Sequence, residues 1–166
     1  MLGRRTQSSD VVFARLVSGR STLAPELQDI VGPCCDMIPI RVRLEPASSL
    51  ETLLSSTQDQ LFSAMDFEAL GFNEIRDKCT DWPRTSYDYG FCINFRNIDS
   101  PETEFAGGMC KYGWYSRKDV PFLGMIEVCV DIRGDETILG VAASPRYSHE
   151  TIDRAIEELC NVLSEF

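Results

Sequence analysis

Two hydrophobic periods run along this chain, and each marks a type of element. Residues 11–17 form an apolar, β-branched run closed by Ser18-Gly19-Arg20, which predicts a buried strand. Over 38–44, Ile38, Ile40, Val42 and Leu44 alternate with Pro39, Arg41 and Arg43, so one face of this strand is buried and the other polar. Pro39 has no N–H to give to a ladder, which places it at a sheet edge or a strand start. Residues 21–33 between these strands read as loop, punctuated by Pro25, Gly32 and Pro33.

Helical spacing takes over at Ser48-Ser49-Leu50-Glu51, where a serine followed three residues later by glutamate forms a capping-box pattern. Leu50, Leu53, Leu54, Leu61 and Met65 then share one stripe, predicting a helix to about residue 66. A short helix is expected over 71–78 and a strand over 87–95. Residues 122–132 and 137–143 read as a hairpin turned by Arg133-Gly134-Asp135-Glu136, with Ile126, Val128, Val130 and Ile132 inward. Residues 96–120, rich in aromatics and carrying Gly107-Gly108 and Gly113, are read as strand. The last helix has Ser148 as its N-cap and a stripe of Ile152, Ala155, Ile156, Leu159, Cys160 and Leu163. No repeat or linker divides the 166 residues, and the pattern is mixed α/β.

Composition narrows the function classes. With 43% hydrophobic and 25% charged residues, the chain has the balance of a globular domain. A net charge of −10 disfavours nucleic acid, which needs clustered lysine and arginine, and Arg4-Arg5 is too small a cluster to reverse that. No apolar run approaches the roughly 20 residues of a membrane span, and the first ten residues lack the core of a secretory signal. Seven cysteines without scaffold spacing are expected to be reduced thiols in a cytoplasmic protein.

The ordered motifs Ser18-Gly19-Arg20, Gly32-Pro33 through Asp36, Pro39 and Arg41, and Cys79-Thr80-Asp81-Trp82-Pro83 before the strand at 91–99 resemble the C-terminal half of condensation domains. These are the amide-forming domains of nonribosomal peptide synthetases, and the likeness is strongest to the fungal kind. The resemblance implies one lobe of a chloramphenicol-acetyltransferase-like fold: a two-layer α/β sandwich of a mixed, partly antiparallel sheet with helices on one face. It implies residues 1–166 as a single lobe whose start falls within the helix preceding Ser8, of which Leu2 to Gln7 remain. Such a start points to an engineered lobe, a mispredicted gene start or a degraded gene. Family domains carry a His-His-x-x-x-Asp-Gly-type motif in the other lobe, and no stretch of this sequence matches it.

On that resemblance the chain supplies one wall of a tunnel in which two carrier-bound thioesters meet, with Ser18, Arg20, Asp36 and Asn97 as substrate-binding residues. No catalytic or metal-binding residue is assigned. No cofactor is bound directly; phosphopantetheine arrives on peptidyl or aminoacyl carrier proteins. The N-terminal lobe with the histidine motif is the other expected partner, and self-association through the exposed lobe interface is expected in its absence. Two departures stand out: Asp36 occupies a position where relatives usually have Asn, and Phe95 one where His is common.

Each candidate also has a plainer role. Arg20 can pair with an acidic neighbour, Asp36 can cap a turn, Ser18 can be a turn hydroxyl and Trp82 a packing anchor. The single histidine, His149, falls in the first turn of the last helix, where exposure and a carboxylate partner are expected. Adjacent Cys34-Cys35 cannot both reach one ion, and Gly107-Gly108 lacks the lysine of a phosphate loop. Three functions follow: half of an acyl-transfer enzyme, inactive alone; a non-catalytic binding module or degenerate synthetase fragment; and a cysteine enzyme without an evident base. The acidic balance weighs against carrier docking by the module, because carriers are themselves usually acidic.

Overall fold

In the computed structural model of the chain, which describes residues 1–20, 23–45, 48–84, 89–97, 102–111 and 125–164, both sequence periods become elements. α1 (Leu2–Thr6) leads into β1 (Asp10–Val17), which pairs antiparallel with β2 (Asp36–Arg43) along its whole length. α2 (Leu50–Ala64) and α3 (Gly71–Cys79) follow, then β3 (Phe91–Asn97), parallel to β1. A separate hairpin of β4 (Glu102–Phe105) and β5 (Gly108–Lys111) comes next. β6 (Ile126–Arg133) pairs parallel with β3 and antiparallel with β7 (Glu136–Ala143), and α4 (His149–Leu163) ends the described chain. The main sheet therefore has five strands in the order β2-β1-β3-β6-β7, with a parallel centre and antiparallel edges.

Register sorts the side chains onto two faces. Arg15 is level with Ile38 and Ile93, Ile93 with Val128, and Val128 with Val141, so these odd and even runs share one face. On this face α2 packs Leu61 and Ala64 against Val17, Ile38 and Ile40. Beside it, Met1, Leu2 and Leu159 from α1 and α4 meet Phe91, Ile126 and Val128. The opposite face presents Ala14 and Cys92, covered by Phe72 of α3 together with Trp82 and Tyr89. The sandwich has the expected mixed sheet with helices layered on it, and the short α3 adds cover on the second side.

Several local expectations shift by a residue. The N-cap of α2 is Ser49, whose Oγ accepts the Thr52 N–H at 3.1 Å, rather than a Ser48–Glu51 box. The Thr52 hydroxyl pairs with the Ser49 hydroxyl at 2.8 Å rather than with its backbone N–H, so the reciprocal half of the box is not made. Ser148 and Thr151 repeat the arrangement at α4. The stripe of α4 packs through Ala155 and Leu159, whereas Cys160 and Leu163 at its end are exposed. Of the strand expected over 96–120, the end of β3 and the β4–β5 hairpin are present, while 98–101 and 112–120 lie outside the described residues, as do 87–88 and 122–124 of two other expected strands. Gly107 sits in the tight turn of that hairpin, where φ is +52° at Ala106 and +79° at Gly107, the combination of a type I′ turn.

β2 is an edge strand, as Pro39 suggested. Its outward backbone is closed by one side chain: Gln60 of α2 accepts the Arg41 N–H at 2.7 Å and donates to the Arg41 carbonyl at 2.9 Å. Arg41 also holds Asp10 through two bonds of 2.9 and 2.6 Å. This contact keeps the Asp10 carboxyl below its ordinary range, first by the hydrogen bond from Arg41 and further by the charges of Arg41 and Arg43. Stability from the pair is therefore present above the unfolded-state value of about 3.9 and disappears as pH falls through the depressed folded value. Asp10→Asn should flatten the acid limb of a thermal-midpoint against pH profile relative to the parent protein.

Candidate functional site

The turn after β1 and the start of β2 bring two separate motifs together. Ser18 is exposed, and its Oγ accepts the Arg20 backbone N–H at 3.3 Å, which tightens the turn. Gly19 occupies φ +63°, and a Cβ there would lie 2.0 Å from the Cys34 carbonyl oxygen. Only glycine satisfies both the torsion and the crossing of the two backbones. Arg20 points across the same crossing: Nη1 donates to the carbonyls of Gln28 and Ile30 at 2.9 and 2.8 Å, and Nη2 to that of Gly32 at 2.8 Å. Among the described residues three backbone oxygens take the place of the expected acidic partner, so Arg20 clasps the 28–32 loop.

Asp36 opens β2 opposite Val17 and is half-buried. Its Oδ1 accepts the Met37 N–H at 2.7 Å, and Oδ2 lies 3.5 Å from where a Cβ on Gly71 of α3 would sit. The Tyr89 hydroxyl is buried without a hydrogen-bond partner; burial first, and then the Asp36 charge, hold the phenol well above its ordinary value. Tyr89 also stands edge-on to Phe72 at 4.6 Å and to Trp82 at 5.8 Å. Trp82 is thus the packing anchor expected of it, and a neutral phenol lies beside the Asp36 carboxylate.

Asn97 is the last residue of β3, level with Ile132 of β6. Because β1, β3 and β6 run parallel, Ser18, Arg20 and Asn97 lie at the carboxyl end of the central strands, and antiparallel β2 brings Asp36 to the same end. Four residues spread over 80 positions of sequence are gathered on one rim of the sheet, the rim at which open α/β sheets place their ligand sites.

A second polar group went unnoticed in the sequence. On the face with Ala14 and Cys92, Arg96 forms a two-bond ion pair with Asp131 at 2.7 and 2.8 Å, and their side chains are only 15% and 3% exposed. Next to it Asn94 Nδ2 donates to Glu127 Oε1 at 2.8 Å, and the Cys129 thiol to the same oxygen at 3.3 Å. The signal was available: Asn94 and Arg96 of β3 alternate in step with Glu127, Cys129 and Asp131 of β6, between the apolar positions. Glu68 is another buried polar residue that periodicity did not mark, and its Oε2 has no hydrogen-bond partner.

The cysteine reading can be weighed on the same geometry. All seven cysteines are free thiols. Burial, followed by the Glu127 charge, raises Cys92 to about 11 and Cys129 to about 12. Neither forms a thiolate nucleophile near neutrality. In a timed alkylation at pH 8, exposed Cys35 is expected to be modified at least ~10-fold faster than Cys92 and Cys129, as followed by peptide mass spectrometry. His149 is exposed at the first turn of α4 and makes no ion pair among the described residues, so the expected carboxylate partner is absent. Among the described residues no cluster of three or more His, Cys, Asp or Glu could hold a metal ion, and no helix is long and apolar enough to cross a membrane.

A mixed five-stranded sheet with its candidate residues on the carboxyl rim defines an α/β domain, and comparison with known proteins gives the family. The profile described as "Condensation domain" matches residues 1–166, and the chain belongs to that family. It is 37% identical over 165 residues to the nonribosomal peptide synthetase ungA' of Aspergillus campestris, with 96% of this chain and 2% of that protein aligned. It is 34% identical over 170 residues to the beauvericin nonribosomal cyclodepsipeptide synthetase BEA1 of Gibberella fujikuroi, covering 97% of this chain and 5% of that one. Among solved structures, the crystal structure of holo T3CT aligns with a TM-score of 0.81 at 20% identity, over 99% of this chain and 38% of its own. The starter condensation domain of rhizomide synthetase RzmA aligns with a TM-score of 0.71 at 16% identity, over 99% of this chain and 40% of its own. The chain therefore spans a few per cent of these synthetases and about two fifths of the solved chains.

Proposed function

We propose that this chain is the substrate-tunnel and carrier-contact lobe of an amide-forming condensation domain in nonribosomal peptide synthesis, inactive alone. The observation that carries the reading is the convergence of Ser18, Arg20, Asp36 and Asn97 on one rim, from motifs far apart in sequence. Alignment over nearly all of this chain but only 38–40% of the solved structures supports its being one part of the unit. The reaction would join an acceptor amine to a donor acyl thioester: a C–N bond forms, the C–S bond breaks, and the phosphopantetheine thiol leaves with the proton lost by the amine. Histidine in the N-terminal lobe would assist that proton transfer, and the present lobe would hold the two carrier-borne arms in line.

In this arrangement Arg20 is a positioning residue, since its guanidinium sets the 28–32 loop that borders the rim. Asp36 gives the wall a carboxylate, with the buried, neutral Tyr89 phenol packed behind it. The seven free thiols suit a reducing cytoplasm. The test is reconstitution: this chain is co-expressed with the N-terminal lobe of a fungal condensation domain and supplied with donor and acceptor thioesters on carrier proteins. Amide product that requires both lobes and the histidine of the partner lobe supports the proposal. A stable complex that binds carriers without forming amide would instead make this chain a binding module.

A further inference from the structure

The five-stranded sheet ends differently at its two edges. β2 carries Pro39, Arg41 and Arg43, and Gln60 answers the outward groups of Arg41. β7 has none of these devices. From Thr137 to Ala143 it holds no charged residue and no proline, and it follows β6 from Glu136 to Ala143 without a bulge. The hairpin fixes the direction of its backbone groups. Arg133 and Glu136 close a two-residue turn, and the Ser144 N–H reaches the Met125 carbonyl at 3.3 Å, so the even-numbered residues bond to β6. The N–H and C=O groups of Thr137, Leu139, Val141 and Ala143 therefore point away from the sheet. Among the described residues none of these groups has a hydrogen-bond partner.

We propose that a second copy of this chain pairs with this edge, β7 against β7, to make one continuous sheet about a two-fold axis. Antiparallel pairing centred on Gly140 uses every outward group: Thr137 faces Ala143 of the second copy and Leu139 faces its Val141, each pair exchanging two bonds. At the axis the two Gly140 residues meet in the closer kind of antiparallel pair, about 4.5 Å between Cα atoms, where neither brings a side chain. Exposed Glu136 falls opposite Ser144, so no like charges meet across the strands. α4 is what favours a second copy over an unrelated strand. Glu158 is bonded to Arg5 of α1 at 2.9 Å, so that side of α4 looks toward the central strands. Ile152, Ile156 and Leu163 lie about 120–160° around the helix from Glu158, toward the free edge, and Leu163 is 51% exposed. Leu159 sets α4 over β6 and β7. With strands about 4.8 Å apart, two such helices related by the axis would lie about 10 Å apart, the separation at which helices pack. A strand from another protein would pair with the edge and leave this flank bare, whereas a second copy brings the same flank to cover it. The surface shares no residue with the rim of Ser18, Arg20, Asp36 and Asn97, so the inference stands apart from the catalytic reading.

Sedimentation equilibrium of the 166-residue protein between about 1 and 100 μM should show a monomer–dimer equilibrium. Amide hydrogen exchange at both ends of this range, resolved to single residues by electron-transfer fragmentation, locates the contact. The N–H groups of Thr137, Leu139, Val141 and Ala143 should exchange at least ~10-fold faster in the dilute sample, while those of Ile138, Gly140 and Ala142, bonded to β6, stay slow in both. Thr137→Pro removes an outward donor that β6 does not use and should weaken the dimer about tenfold or more. A charge exchange checks the register without touching the backbone. Ser144→Glu sets a carboxylate opposite Glu136 of the second copy and should weaken the dimer about fivefold, and adding Glu136→Lys should restore it. A monomer throughout the concentration range would overturn the proposal. So would a dimer whose odd-numbered β7 amides remain unprotected, because the contact would then lie elsewhere on the lobe. A Ser144→Glu loss that Glu136→Lys leaves unrelieved would overturn the two-fold pairing as well.

Discussion

Gly19→Ala should unfold this protein several degrees below the parent and by more than any surface substitution. Two costs combine at that position. The added methyl would stand 2.0 Å from the Cys34 carbonyl oxygen, and backbone rather than a flexible side chain must move to relieve it. The residue must also hold φ +63°, which an L side chain adopts only with strain of about 1 kcal/mol or more. A total loss of about 3 kcal/mol is expected, read as a shift of the denaturant midpoint at unchanged slope. Because β1 and β2 are joined through this crossing, the same variant should loosen the loop that Arg20 clasps. Proteolysis within residues 28–32 should rise accordingly, whereas a destabilising change elsewhere of equal size would not single out that loop.

Asp131→Ala is expected to be at least as damaging, for an electrostatic reason. The Asp131 side chain is 3% exposed and makes a two-bond pair with Arg96, itself largely buried. Removing Asp131 takes from the largely buried Arg96 guanidinium its two-bond carboxylate partner, and a hydrogen-bonded charge lost in this way costs about 2–3 kcal/mol or more. Replacing Arg96 and Asp131 together by apolar residues should cost less than the sum of the single changes. A double-mutant cycle in urea measures this coupling, and additivity within about 0.5 kcal/mol would show that the pair is not what holds Asp131 in place. Asn94 and Glu127 lie one step along the same strands and provide a control: Asn94→Ala removes one neutral donor and should cost about 1–2 kcal/mol.

The parts of the fold that hydrophobic period controls were legible in the sequence. Alternation at Ile38, Ile40 and Val42 gave a strand with one buried face, and the stripe through Ala155 and Leu159 gave the last helix. What period does not encode is which strand lies beside which. β3 follows β2 in the chain yet pairs with β1, so the parallel centre of the sheet depends on contacts between distant residues. For the same reason the alternation marked Arg96 and Asp131 as polar positions but not as a pair: only register places them face to face. Among the candidate site residues, the turn chemistry of Ser18 and Gly19 was readable locally. The partners of Arg20 were not, because three carbonyl oxygens carry no side-chain signature. Asn97 was named only through the family resemblance, and its place on the rim came from the strand order.

Gln60 gives the sheet a property that no strand sequence specifies. An edge strand normally offers its outward N–H and C=O groups to whatever extended chain arrives, and here the pair on Arg41 is already answered by a side-chain amide anchored in α2. Another polypeptide seeking to add a strand beside β2 would have to displace Gln60 before it could bond the backbone of Arg41. One carboxamide thus takes up, at Arg41, the two bonds that a sixth strand would claim, and strand addition along this edge is interrupted there.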